Sequence, residues 1–219
     1  MATIVFDFDG TLTKKSYHIW RKIWEELGYD TSNDSYYKNL YKKFLNNEIT
    51  RLKWCELTCE AYRQKGFTKK QMQKLAKSIK LKPEVKKLIK NFSKQGHELH
   101  LVSGNINQVV AIALKDTQKY FKTINANSFI FDDNEIIKKI EVTKYDFDGK
   151  AKFVDELITK QNIDKNDIYF VGNGRNDEWV YQTGCHTICV LPNKDTPQKD
   201  KGIWHHSITN LKELNKIIN

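Results

Sequence analysis

Proline and long apolar runs are what this chain has least of. Three prolines and ten glycines in 219 residues leave no segment with the composition of an extended, disordered linker. No stretch approaches the roughly 20 apolar residues that a membrane-crossing helix needs. The first apolar run, Thr3–Phe6, meets Asp7 at once and is too short for a secretory leader, so a cytoplasmic location is expected. Cysteine is also scarce: Cys55, Cys59, Cys185 and Cys189. Two pairs spaced by four, with His186 nearby, make a poor zinc pattern, because structural zinc sites draw each pair from a tighter turn. Reduced, partly buried thiols are the expectation.

What is present is an ordinary folded composition, with 39% hydrophobic and 29% charged residues. The length allows one good-sized core and a smaller appendage, or two modest domains. Net charge is 37 − 27 = +10, which raises the question of nucleic acid. The lysines are densest between Lys69 and Lys94, where they alternate with Leu75, Ile79, Val85, Leu88 and Ile89 as solvated helix faces do. No aromatic-basic motif of an RNA-binding type accompanies them. The basic surface is therefore read as one that attracts small anionic substrates, with nucleic acid not expected as a partner.

Hydrophobic period divides the chain. Thr3–Phe6 is a short β-branched run suited to a buried parallel strand. From about 16 to 80 the pattern is helical, with Tyr17, Trp20 and Trp24 on one face and Leu40 and Phe44 on another. Pro83 stands at the first turn of a further helix closed by Gly96. Strands are predicted at 98–102, 128–131, 168–171 and 187–191, with helices at 106–114, 150–159, 176–182 and 208–218 and a hairpin within 134–147. Strand and helix thus alternate in the first 14 residues and again from about 83, which predicts an α/β, Rossmann-like parallel sheet with a helical block inserted at 15–80.

Four polar clusters each follow a predicted strand or open a predicted helix. Asp7-Phe8-Asp9-Gly10-Thr11 places two carboxylates two residues apart at a strand end, where one can attack and the other handle protons. Ser103-Gly104-Asn105 offers a hydroxyl beside a tight turn. Lys150 opens a helix with a compact cation suited to phosphate. Gly172-Asn173-Gly174-Arg175-Asn176-Asp177 supplies oxygen ligands for a hard cation. The tetrapeptide Asp146-Phe147-Asp148-Gly149 repeats the first motif but follows a polar segment, and is read as a turn leading to Lys150.

In this order the clusters resemble the haloacid dehalogenase superfamily, and the insert after the first cluster resembles its phosphoserine-phosphatase-like branch with a C1-type helical cap. The resemblance implies a core of 1–14 and 81–219 and a cap of 15–80. It implies a phosphatase acting on a small phosphorylated metabolite, with Asp7 as the nucleophile and Asp9 as general acid and base. Thr11, Ser103, Gly104 and Lys150 would bind the phosphoryl group, and Asp7, Asp9, Asn173 and Asp177 would hold Mg2+. Family spacing favours Lys150 over Lys144 and Lys152.

Two departures from the branch bear on function. Asn173 stands where an aspartate is usual, which removes one charge from the metal site and shifts the anionic role toward Asp177. Ser16 stands where an acid is expected to hold the serine amino group, and Glu56 falls where an arginine is expected for the serine carboxylate, with Arg51 the nearest candidate. Phosphoserine is accordingly not the expected substrate. A phosphotransferase or mutase of the same fold, or a binding protein with impaired catalysis, are the competing readings.

Overall fold

The computed structural model describes residues 1–14, 17–193 and 202–218; Ser16 lies outside them. Its centre is a seven-stranded sheet in the order β4-β3-β2-β1-β5-β6-β7. The strands are β1 Thr3–Phe6, β2 Glu98–Ile106, β3 Thr123–Phe131, β4 Ile137–Glu141, β5 Ile168–Gly172, β6 His186–Val190 and β7 His206–Ile208. All neighbours pair in parallel except β3 with β4. Every residue of β1 is buried, as a strand covered on both faces requires.

The α-helices among the described residues are α1 Ile19–Glu26, α2 Tyr36–Leu45, α3 Arg51–Gln64, α4 Lys69–Lys77, α5 Val85–Lys94, α6 Asn107–Leu114, α7 Asp148–Gln161 and α8 Leu214–Ile217. Helix α5 shows why the sequence makes them. Val85, Leu88, Ile89 and Phe92 form its buried stripe at helical spacing, with lysines between them. In α4 a reciprocal Thr68–Gln71 capping box satisfies the first turn. Among the described residues no helix is long and apolar enough to cross a membrane.

Helices α1–α4 all lie between β1 and β2. The chain leaves the sheet and returns to it through paired segments. The Lys14 N–H donates to the Lys80 carbonyl and the Lys82 N–H to the Leu12 carbonyl, each at 2.9 Å, around a Thr13–Leu81 bridge. The insert is packed around Trp24, which is fully buried, with the rings of Tyr29, Tyr36, Tyr37 and Tyr62 at centroid distances of 4.7–5.9 Å. Its apolar core runs without a break into that of the sheet, through Tyr62 and Phe67 against Phe129 of β3. Trp24→Ala is expected to cost about 3–5 kcal/mol in denaturant unfolding and to leave substrate preference unchanged. A stability loss below about 1 kcal/mol would show that the ring is not a keystone of the insert.

Three elements differ from the sequence reading. The hairpin is made by β3 and β4 and turns at 132–136, where the Asp132 carboxylate accepts from the N–H groups of Asn134 and Ile136. It does not extend to 147, because the Thr143 N–H is taken by the Asn127 side chain. The segment Arg175–Thr183 is a 3₁₀ rather than an α-helix. The tail begins as a strand, His206–Ile208 paired with β6, followed by a 3₁₀ turn at Leu211–Glu213 and one short α-helical turn. Three strand residues are too few to show alternation in sequence.

Strand register positions the chemistry. Phe6 of β1 is opposite Leu101 of β2 on one side and Val171 of β5 on the other. Asp7 and Asn173 therefore leave the sheet at neighbouring levels on its carboxyl edge, beside Ser103, which the sequence reading placed after the strand but which lies within the longer β2. The chain turns to opposite sides of β1, toward β2 and then toward β5, so this is the switch point where α/β sheets form clefts.

Candidate active site

Asp7 continues β1, its N–H donating to the Val171 carbonyl at 2.9 Å. Beyond it Gly10 has φ of 78°, a backbone conformation that side chains resist, and this bends the loop so that Thr11 faces back to Asp7. The Thr11 hydroxyl lies 3.3 Å from both Asp7 Oδ2 and Asn173 Oδ1. Lys150, one turn into α7, is fully buried and donates to Asp7 Oδ1 at 2.7 Å and Asp177 Oδ1 at 2.5 Å. Asp177 Oδ2 accepts from the N–H groups of Asn173 and Gly174 at 2.9 and 3.0 Å. Asn105 Nδ2 donates to Asp9 Oδ2 at 2.7 Å. Side-chain bonds thus tie together all four clusters, the longest of them spanning 162 residues of sequence.

The electrostatics follow from burial. Taking Asp7 out of water pushes its carboxyl up, against the pull of the Lys150 ammonium and with the added push of Asp177, to about 7. Burial also raises Asp9, while hydrogen bonds from Asn105 and the Tyr17 backbone oppose the rise. For Lys150 burial works against the charge, but Asp177, Asp7 and Asp146 outweigh it and hold the ammonium above the ordinary lysine value. The buried Asp7–Lys150–Asp177 triad carries one net negative charge when all three are ionised. A divalent cation would favour the ionised form of Asp7.

The donor set suits such a cation. Asp7 and Asn173 converge on one hydroxyl with hard oxygens, and the carbonyl of Asp9 is two residues along the same loop. No cluster of three or more His, Cys, Asp or Glu side chains forms a metal site among the described residues. The expectation that Asp177 ligates the cation directly meets a carboxylate whose two oxygens are already engaged by Lys150 and two backbone N–H groups. All four cysteines are buried free thiols.

Ser103 is buried at the end of the apolar part of β2, its hydroxyl accepting from the Asn105 N–H at 3.1 Å. Gly104 is a point of close approach. Its carbonyl accepts from Trp20 Nε1 at 2.9 Å and Asn127 Nδ2 at 2.8 Å, and a Cβ there would overlap the Asp146 carboxylate. Trp20 of the insert thus reaches the site, whereas Trp24 does not touch it.

Asp146 is the residue that sequence reasoning missed. Asp146 and Phe147 do form the turn before α7, but the Asp146 side chain is buried and pairs with Arg51 Nη1. Arg51 Nη2 donates to Asn127 Oδ1 at 3.2 Å, and the guanidinium lies 5.6 Å from the Phe147 ring centroid. Glu56 is exposed and pairs with Lys53 at 3.4 Å, away from the site. The one sequence signal for Asp146 was its place in the second copy of the tetrapeptide.

The model of the haloacid dehalogenase-like hydrolases matches residues 4–178, and the chain belongs to that family. Among solved structures, the fold is that of a phospho-aspartyl intermediate analogue of phosphoserine phosphatase, with a TM-score of 0.72 and 20% identity over 100% of this chain and 99% of that one. A substrate-bound phosphoserine phosphatase complex gives 0.72 and 19% over 100% and 98%. A HAD family hydrolase from Salmonella enterica serovar Typhi gives 0.76 and 16% over 99% and 70%. No curated protein matched the chain.

Proposed function

We propose that this protein is a magnesium-dependent phosphatase of small phosphorylated metabolites that works through a phosphoaspartate on Asp7. The observation that carries the reading is the joining of four separated clusters by direct side-chain bonds around one buried carboxylate. Similar solved structures, a phospho-aspartyl intermediate analogue of phosphoserine phosphatase and a substrate-bound phosphoserine phosphatase complex, support it.

Asp7 attacks phosphorus while the bond to the leaving oxygen breaks, and the Asp9 carboxylic acid gives that oxygen its proton. The alcohol departs and Asp7 carries the phosphoryl group as an acyl phosphate. Asp9, now a carboxylate, takes a proton from a water as that water attacks phosphorus. The Asp7 acyl-phosphate bond breaks, inorganic phosphate leaves, and both carboxyls return to their first states. Thr11, Ser103, the Gly104 backbone and Lys150 hold the phosphoryl oxygens, and catalysis rests on positioning and charge neutralisation. Asp7, the Asp9 carbonyl and Asn173 would hold Mg2+, which when bound neutralises phosphoryl charge. Asp177 serves by fixing Lys150 and the 172–177 loop.

Residues 15–80 act as the cap, which excludes water from the first step and selects the leaving group. Phosphoserine is not the substrate we infer, because Arg51 is already engaged by Asp146 and Asn127. The free thiols accord with a reducing, cytoplasmic setting.

The test is phosphate release from a panel of phosphomonoesters with magnesium, with Asp7→Asn as the blank. Release from none of them, or equal release by the blank, would overturn the reading; alcohol release with phosphate retained until an organic acceptor is added would make it a phosphotransferase. Asn173→Asp restores a second anionic oxygen and is expected to tighten Mg2+ binding about tenfold, read by calorimetry as well as by activity. Unchanged affinity would remove Asn173 from the ligand set.

A further inference from the structure

Resting on the phosphatase reading, we propose that Asn105 is a positioning residue that aims the proton-carrying oxygen of Asp9 at the leaving group. It does so by holding the other carboxyl oxygen. Asn105 is buried and its amide has no freedom to turn. Its Oδ1 accepts from the Ile106 N–H at 2.6 Å, so Nδ2 is the end that faces Asp9 Oδ2 at 2.7 Å. A flipped amide would set donor against donor at Ile106 and acceptor against acceptor at Asp9.

The rest of the residue is fastened as firmly. Its N–H donates to Ser103 Oγ at 3.1 Å, and its carbonyl accepts from Asn127 Nδ2 at 3.1 Å. Asn127 in turn accepts from the Thr143 N–H at 3.0 Å, which ties this arrangement to the segment leading into α7.

Asp9 itself stands on the loop that follows β1 and Phe8. One oxygen is held by Asn105 Nδ2, and the Tyr17 backbone N–H also bonds the carboxyl. The other, Oδ1, is buried and has no hydrogen-bond partner among the described residues. An orphaned buried carboxyl oxygen is costly unless it has a task. Here the task is proton delivery to the departing oxygen, and Asn105, together with the Tyr17 backbone, determines which oxygen is available for it.

A general acid matters in proportion to how poor the leaving group is, and this separates aiming from mere support of the fold. The rate of Asp7 phosphorylation is read as kcat/KM, which ends at alcohol release and excludes the later hydrolysis of the phosphoenzyme. Asn105→Ala is expected to lower kcat/KM about 100-fold on an alkyl ester such as glycerol 2-phosphate. On 2,4-dinitrophenyl phosphate, whose leaving group needs no proton, the change is expected to stay within about threefold. On that second ester a burst of dinitrophenol should precede slow turnover, because the same Asp9 must activate water in the second step.

Asn105→Asp is the companion variant. It is isosteric and keeps the acceptor for Ile106 while replacing the donor toward Asp9, so the comparison is read from it should the alanine variant not fold. Equal losses on both esters would make Asn105 a structural or phosphate-binding residue and overturn the proposal. Unchanged activity on the alkyl ester would overturn it as well. Wild-type protein inert toward both esters would bring down the phosphatase reading itself, and the inference with it.

Discussion

Asp7→Asn is expected to lower phosphomonoester turnover by on the order of 10⁴-fold or more while the protein remains folded. An amide has no anionic oxygen to attack phosphorus, so no covalent intermediate forms. The fold should tolerate the change because Asp7 is costly where it stands. Burial raises its carboxyl to about 7 against the pull of Lys150. Exchange for a neutral isostere removes that desolvation cost, and Lys150 keeps Asp177 at 2.5 Å as its counter-charge. Acid-quenched wild type given a slow substrate should carry one phosphoryl group by mass spectrometry, and the variant none. A variant retaining a tenth of wild-type turnover would mean that water attacks phosphorus directly.

Lys150→Met is expected to do what Asp7→Asn does not, and damage stability together with activity. The ammonium is completely buried between two carboxylates, with Asp177 fully buried beside it. Removing it leaves Asp7 and Asp177 facing each other across an apolar side chain, at a cost of about 3–5 kcal/mol in unfolding free energy. Activity should fall roughly 10³-fold, since the phosphoryl oxygens lose a fixed positive charge in a water-poor site. Adding Asp177→Asn to the lysine variant should return part of the stability and none of the activity. Should the single variant melt like wild type, the triad is not the electrostatic centre of the fold described above.

Much of the architecture was legible because a parallel sheet leaves a plain trace. Thr3–Phe6 and 168–171 are largely apolar runs, 98–102 alternates Glu98 and His100 with Leu99, Leu101 and Val102, and each run is followed by polar residues. Those endings are the site, since adjacent parallel strands bring their carboxyl ends to one edge. Less legible was anything decided by partners far away in sequence. Strand β3 begins at Thr123, well before the apolar run at 128–131, because Asn125 and Asn127 are polar residues within a strand. Asn127 spends its amide on the 104–105 backbone and on Thr143, an assignment that no periodicity reveals. The Arg51–Asp146 pair joins the insert to the core across 95 residues, and the repeated tetrapeptide that holds Asp146 gave no hint of its partner.

The doorway through which the helical block joins the sheet bears on how freely the block can vary in length. Entry and exit lie side by side, fastened by two backbone hydrogen bonds that involve no side chain of either strand. Whatever is spliced between them imposes little closure entropy on the remaining chain, because that cost grows only slowly with loop length. A change in the length of the block therefore need not re-register β1 against β2. On the function proposed above, the sheet edge would carry the chemistry while the insertion is free to vary in length.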